Sequence, residues 1–400
     1  MAASRVAVVG GGLAGLSAAL ALKEKGHPVE LFERTRLLGG RATSFAVGGH
    51  EVDNGQHVFL ACCTEFIRFV DRLGMTKNLH LQDRFDVLVV GPQVRSRLRA
   101  ASLPAPFHLA WSLLQYQPLA VGERLSLARA LLRLRSANGD LKGESFAAWL
   151  ARNGQGTREI RAFWEPFLVP ALNVSLEEMP AHEAAFVLQT AFLRDADSAR
   201  FGWSSVPLAR IAEAAAQRLD QVHMSTAVVS LDQLGAFDAI VLAVPPAQAA
   251  KLTGNTALDA YEAHAILDIH LWHDAGTLDF DFAALLDSPV QWIFQKESGY
   301  LCCSLSAADE HLVAPTGDLV QRTWQELQAA LPDLRRARVT QSAVTRNPTA
   351  TYMPKAGTQR PGARTALANV ALAGSWTETG WPDTMESAVR SGLAAAQVIC

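Results

Sequence analysis

Cysteine is scarce in this chain, with five residues among 400: Cys62, Cys63, Cys302, Cys303 and Cys400. Two adjacent pairs match neither C-x-x-C redox spacing nor metal-ligand spacing. The thiols therefore read as reduced, and no metal centre is expected. Charge is thin as well, at 19% of residues with a formal net of −3, so nucleic acid is not an expected partner. The longest uncharged run, Ala100–Gly122, is broken by Pro104, Pro106 and Pro118 and carries His108, Gln115 and Gln117. That composition argues against a spanning helix and leaves a segment lying in a membrane surface open. No signal peptide is expected, because the apolar stretch after Arg5 is itself a strand–turn–helix unit; a cytoplasmic location follows as the expectation. Internal repeats and low-complexity linkers are also missing. Apolar residues are plentiful, at 49%, and 400 residues suffice for two domains or one large fold with an inserted lobe.

The most informative stretch is Val6–Leu20, VAVVGGGLAGLSAAL. The run Val6–Val9 predicts a buried strand, and Leu13–Lys25 has the composition of a helix. Between them Gly10, Gly12 and Gly15 have the spacing G-x-G-x-x-G. The first glycine permits the tight turn, the second lets backbone approach a pyrophosphate, and the third lets helix and strand pack closely. Phosphates then sit at the positive end of the helix. A second predicted strand, Pro28–Phe32, ends at Glu33, 18 residues after Gly15, where a carboxylate can accept from a ribose hydroxyl. Leu38-Gly39-Gly40-Arg41 follows, offering backbone amides and a guanidinium for bidentate phosphate binding.

The nucleotide half is expected in three pieces: residues 1–75, 205–255 and 366–400. The second piece predicts a helix over Val206–Leu219, a strand near Ala227–Val229, and a buried strand in Phe237–Val244 stopped by Pro245 and Pro246. The third predicts a strand at Val370–Ala373, a turn at Gly374 and a helix over Met385–Val398 aimed at the same ligand. Residues 76–204 read as helical. Residues 256–365 mix strands (Ala265–Trp272, Val290–Gln295, Leu301–Leu305) with a helix at Asp318–Ala330. Together these two blocks form the expected substrate lobe. Within 84–142, nine basic residues (Arg84, Arg95, Arg97, Arg99, Arg124, Arg129, Arg133, Arg135 and Lys142) face only Asp86, Glu123 and Asp140. They flank Phe107, Trp111 and Tyr116, which suits an anionic membrane surface or, equally, a core helix beside a solvated basic face.

Val8-Val9-Gly10-Gly11-Gly12-Leu13-Ala14-Gly15, then Glu33, then Leu38–Arg41, resembles the FAD-binding N-terminus of the flavin amine oxidase and phytoene desaturase superfamily. Leu372–Gly392, LAGSWTETGWPDTMESAVRSG, is similar to its second flavin motif. Val52-Asp53-Asn54-Gly55-Gln56-His57-Val58, Phe163-Trp164-Glu165-Pro166-Phe167 and Ala171-Leu172-Asn173 resemble the squalene-associated FAD-dependent branch. The resemblance covers essentially the whole chain. It implies an α/β fold: a Rossmann-like FAD-binding domain of the glutathione reductase type with an α+β substrate lobe. It also implies non-covalent FAD. Gly12, Leu13, Ala14 and Gly15 would hold the pyrophosphate, and Glu33 and Arg34 the adenosine ribose. Gly39, Gly40 and Arg41 would lie along the phosphates, and Val228 would contact adenine through its backbone. Gly55, Gln56 and His57 would lie near the isoalloxazine, with Thr384, Met385 and Glu386 at its pyrimidine end. The acidic residue usual after the C-terminal glycine, here Gly374, is replaced by Ser375, which can bond the ribityl chain or phosphate without bringing a charge.

The implied activity is reductive removal of an allylic hydroxyl from an apolar isoprenoid, converting hydroxysqualene to squalene for hopanoids. That chemistry needs a dry cavity, an acid for the departing hydroxyl and groups that stabilise a cation. Glu165, among aromatics, and Asp383, beside Pro382, are the candidate acids; a salt-bridging or helix-terminal role for Glu165 is the alternative. His57 is a candidate for positioning the flavin, or a structural histidine. Three other readings stay open. One is a carotenoid desaturase of the phytoene type. Another is an amine oxidase, for which Trp376 and Trp381 are the candidate aromatic cage. The third is a non-catalytic isoprenoid-binding flavoprotein. No second dinucleotide fingerprint points to a nicotinamide site, and the electron donor is not specified. Peripheral attachment to the inner face of the cell membrane through 84–142 is a further expectation.

Overall fold

The computed structural model describes residues 3–137, 141, 143–354 and 359–400; Lys142 and Asp140 of the basic stretch lie outside them. Val6–Val9 is buried on both sides, as a central parallel strand must be. It lies in the middle of a five-stranded sheet ordered Gln221–His223, Val29–Phe32, Val6–Val9, Ala239–Leu242 and Val370–Leu372, parallel throughout. Val6, Val8, Leu31 and Val241 pack on one side with the helices Leu13–Glu24, Leu208–Ala216 and Met385–Ile399. Ala7, Val9, Ile240 and Leu242 pack on the other with the helix Pro246–Thr253. The first and last helices cross closely, since a Cβ at Gly392 would sit 2.2 Å from the Ala14 carbonyl oxygen.

The strand expected near Ala227–Val229 is instead Gln221–His223. Its partner Val29–Phe32 ends at Phe32, and Ser225 turns the chain in the left-handed region (φ 54°), so Ala227–Val229 runs past the sheet unpaired. The block 76–204 is not purely helical either. It contributes the short strands Leu79–Leu81 and Phe201–Ser204 and an antiparallel hairpin, Asp86–Gly91 with Val94–Arg99. The alternation V-R-S-R-L-R carries that second strand.

The hairpin joins the edge of a seven-stranded sheet ordered Val339–Pro354, Tyr261–His273, Tyr300–Ser306, Trp292–Glu297, Phe282–Leu285, Asp86–Gly91 and Val94–Arg99. Residues 76–204 and 256–365 therefore share one sheet. Along the second strand Leu267, Ile269 and Leu271 face a core shared with the helix Thr316–Ala330. Period two sends Asp268, His270 and Trp272 to the opposite face. There Trp272, Trp292, Phe294 and Tyr300 join a core with the helices Val121–Ser136, Phe146–Arg152, Glu165–Leu172 and Ala181–Leu188. Among the described residues no helix is long and apolar enough to cross a membrane.

Candidate functional site

The glycines at the end of the first strand divide into two kinds. A Cβ at Gly10 would lie 2.2 Å from the Ala243 carbonyl oxygen, and one at Gly15 would lie 1.9 Å from that of Gly10, so both serve packing. At Gly12 a Cβ would meet the Gly40 Cα at 3.8 Å and the Gly39 carbonyl oxygen at 3.9 Å, ordinary contacts, so the space over the turn is uncrowded. Gly12 is the N-cap of the helix Leu13–Glu24 and offers no side-chain cap, so the first amides, those of Leu13 and Ala14, face that space. Gly39 pairs with the turn, its amide donating to the Gly11 carbonyl at 2.8 Å, and holds Gly40 opposite Gly12.

Buried Glu33 closes the adjoining side. Its Oε2 accepts from the Gly11 amide at 2.8 Å, and its Oε1 accepts from the Thr35 amide and hydroxyl, each at 2.8 Å. A carboxylate has about four acceptor positions, so one remains for a hydroxyl. Arg34 is exposed beside it. Val228 is buried, and neither its N–H nor its C=O has a protein partner among the described residues. An uncapped helix start, an uncrowded glycine and a buried unpaired backbone fit the pyrophosphate and adenine of FAD.

Arg41, Ser375 and Asp383 form one hydrogen-bonded cluster at the edge of this region. Arg41 is not a free phosphate clamp. Its Nη1 donates to Asp383 Oδ2 and the Ala350 carbonyl, and its Nη2 to Asp383 Oδ1 and Ser375 Oγ, leaving only Nε–H. Ser375 thereby accepts from Arg41 through its hydroxyl oxygen. Asp383 also accepts from the Tyr352 amide at 2.7 Å. Both oxygens of Asp383 are thus engaged, by the Arg41 guanidinium and the Tyr352 amide, and the carboxylate orients Arg41. Asp383 in turn holds the Arg41 guanidinium above its already high pKa, against the effect of burial.

Gly374 donates its amide to Ser391 Oγ at 2.8 Å, and Thr384 caps the last helix by accepting from the Ser387 amide. Met385 is half-buried against the helices of the first domain. Glu386 is held inside the nucleotide lobe by protein partners. It is 1% exposed, accepts from the Glu65 and Phe66 amides at the start of the helix Thr64–Arg72, and pairs with Arg390 at 2.7 Å.

The loop Gly55-Gln56-His57 meets the seven-stranded sheet. Gly55 (φ 117°) would carry a Cβ only 3.2 Å from Asp268 Oδ2. The Gln56 amide donates to Asp268 Oδ1 at 3.3 Å, Cys302 Sγ approaches the same oxygen at 3.7 Å, and the Ser304 hydroxyl donates as well. Asp268 is 1% exposed; its burial outweighs those bonds and nearby Lys296, and its pKa is pushed up to about 6. His57 moves the other way. Burial lowers its pKa against the opposing charge of Asp53, and its ring bonds the Arg41 carbonyl. Lys296 pairs with Asp53 at 2.6 Å, and Asp53 also accepts from Ser44 Oγ and the Leu208 amide. His270 bonds Tyr300 Oη at 2.7 Å, and burial pushes its pKa down to about 4. These polar groups interrupt an aromatic wall in which Trp292 pairs with Phe294, Phe201 and Phe167, and Trp272 with Tyr300.

The sequence reading missed Asp268, His270 and Lys296. The signal for Asp268 and His270 was the spacing in Ile266-Leu267-Asp268-Ile269-His270-Leu271-Trp272, two polar residues on one face of a strand whose other face is apolar; Lys296, on the strand Trp292–Glu297, had no such signal. Glu165 is not brought to this wall. It follows a π-helical turn, Ile160–Trp164, and lines a separate cavity of about 510 Å³ with Arg161, Glu177, Asp287 and Gln291. Its pKa is raised by burial, with Glu177 and Asp287 adding to the shift and Arg161 opposing it. No residue of the glycine cradle lines that cavity. Trp376 is buried with its indole on the Val244 carbonyl, whereas Trp381 packs on Phe186 and Arg390, so the two do not form a cage.

A parallel sheet with a glycine cradle, with the Gly55–His57 loop set against a buried polar wall on a second sheet, defines a two-lobed dinucleotide-binding protein. The family profile of flavin containing amine oxidoreductases matches residues 13–400. The chain belongs to this family and is an FAD-dependent oxidoreductase. It is 26% identical to a hydroxysqualene dehydroxylase of Zymomonas mobilis over 98% of both chains. It is 24% identical to a zeta-carotene desaturase of Solanum lycopersicum over 99% of this chain and 81% of that one. The fold matches that of putrescine oxidase with a TM-score of 0.74 at 16% identity, covering 99% of this chain and 98% of that one.

Proposed function

We propose that the protein replaces the allylic hydroxyl of a long isoprenoid with hydrogen, hydroxysqualene becoming squalene. The observation that carries this reading is Asp268, a protonatable carboxyl buried in an aromatic wall beside the Gly55–His57 loop. Asp268 donates its proton to the departing hydroxyl, the C–O bond breaks and water leaves. The allylic cation left behind is stabilised by the π faces of Trp292 and Phe294. When bound, reduced FAD supplies the hydride that completes the C–H bond, with its two electrons coming from an external donor. Lys296 stays neutralised by Asp53, so it does not oppose the cation with an unpaired charge. The similarity to hydroxysqualene dehydroxylases over nearly the full length supports the substrate class.

The test is anaerobic incubation of the reduced holoprotein with hydroxysqualene. Squalene is the expected product. Asp268→Asn is expected to lower the rate by roughly 10²–10⁴-fold with an unchanged flavin spectrum. Desaturation of zeta-carotene or phytoene without squalene formation, or full activity in Asp268→Asn, would overturn the reading.

A further inference from the structure

Exposed apolar side chains cluster in one place. Seven of the eleven large apolar residues that are exposed among the described residues fall within Leu103–Leu132. Phe107, Trp111 and Leu114, at i, i+4 and i+7, share one face of the turn Phe107–Leu109 and the helix Ala110–Leu114. Val121, Leu125 and Leu132 lie along the outer side of the next helix, Val121–Ser136. Trp111 is 63% exposed and Val121 69%. The inner side of that second helix is equally apolar, with Leu127, Ala130, Leu131 and Leu134 in the core. Single exposed apolar residues need no explanation, but neighbouring stripes on consecutive segments mark a surface that is covered in use.

The charges around the stripes say what covers them. Between Ala100 and Ser136 the single carboxylate is Glu123, tied to the Ala120 amide and facing Arg158. Arg129, Arg133 and Arg135 are exposed on the same helix, and Arg129 and Arg135 have no acidic partner among the described residues. Arg95, Arg97 and Arg99 are already paired with Asp279 and Asp86, so they are not the free cations. A second copy of the chain would set these arginines against themselves. An anionic lipid surface takes both parts, headgroup phosphates for the arginines and the acyl boundary for Trp111 and its neighbours.

We infer that the Leu103–Ser136 segment docks the protein on an anionic bilayer surface, with its two helices lying in the interface plane. The inference is independent of the substrate. The test uses the full-length holoprotein with vesicles of phosphatidylcholine, with and without phosphatidylglycerol. Co-sedimentation with the anionic vesicles, and quenching of Trp111 fluorescence by brominated acyl chains, are expected. Trp111→Glu with Leu125→Glu is expected to weaken binding by roughly tenfold or more at unchanged flavin absorbance and melting temperature. Arg129→Glu with Arg135→Glu should remove the preference for phosphatidylglycerol. Trp111→Ser is a milder variant with the same expected direction. No sedimentation with either vesicle, binding indifferent to the Trp111 and Leu125 changes, or a lipid-free dimer that those changes dissolve would each overturn it.

Discussion

Arg41 and Asp383 are joined by two hydrogen bonds, of 2.8 and 2.9 Å, across 342 positions of sequence. The same guanidinium reaches Ser375 and the Ala350 carbonyl, and its carboxylate partner reaches the Tyr352 amide. The pair therefore ties the first segment of the nucleotide sheet to the last and to the long edge strand of the other lobe. The Asp383 side chain is 6% exposed and that of Arg41 is 30% exposed, so solvent screens the pair only partly.

Asp383→Asn would leave the Arg41 charge without its counter-ion. The expected cost is about 3 kcal/mol, at the low end for a buried pair because Arg41 is partly wet. Flavin affinity should fall with it, and excess FAD should restore turnover. A mutant that binds FAD fully, melts like the parent and still fails to turn over would make Asp383 the acid instead.

Asp268 sets a pH dependence in two measurements. As a general acid it must be protonated, so kcat/KM should decline as pH rises through about 6, and Asp268→Asn should flatten that limb. For stability the folded pKa is raised from 3.8 to about 6. The favourable protonated state is fully present below 3.8, and its benefit is lost as pH rises through about 6. Asn at this position keeps an acceptor for the Gln56 amide and removes the charge. It should therefore match the parent near pH 4 and exceed it at pH 8 by on the order of 3 kcal/mol in denaturant melts.

The glycines should separate cofactor binding from folding. Gly12→Ala places its Cβ at an ordinary contact distance, 3.8 Å from the nearest atom, so the apoprotein should fold with nearly parental stability while FAD affinity drops roughly tenfold or more. Gly15→Ala drives its Cβ to 1.9 Å from the Gly10 carbonyl oxygen and should not yield soluble folded protein. Equilibrium dialysis with FAD and thermal melts of the apoproteins distinguish the two.

Glu386 and Glu165 should differ in what their loss disturbs. Glu386→Ala strips the Glu65 and Phe66 amides and Arg390 of their acceptor and should cost about 3–5 kcal/mol of stability. Glu165→Gln, in a cavity away from the cradle, should leave squalene formation within about threefold of the parent. A large loss of turnover in Glu165→Gln at full flavin occupancy would return the acid to the second cavity.

The glycine cradle was legible in the sequence because its chemistry is local. Strand, turn, N-cap and Glu33 follow within a few dozen residues, and backbone geometry alone demands glycine at Gly10 and Gly15. The strands Val6–Val9, Ala239–Leu242 and Val370–Leu372 announce themselves as short apolar runs. The fate of Arg41 could not be read in the same way, because its partner is chosen by which ends of the sheet the fold brings together.

Residue spacing by itself determined the glycine turn, since a turn of that shape is dictated by consecutive φ and ψ values. Tertiary structure alone decided which acidic groups hold cations and which stay protonatable. Asp53 met Lys296, which favours its ionised form against burial, and Asp383 met Arg41 in a two-bond pair. Asp268 met an amide, a hydroxyl and a thiol inside an aromatic wall, and burial became the dominant influence on its proton. Three aspartates with the same intrinsic chemistry were set apart by strand register and by burial, neither of which is a property of any short stretch of sequence.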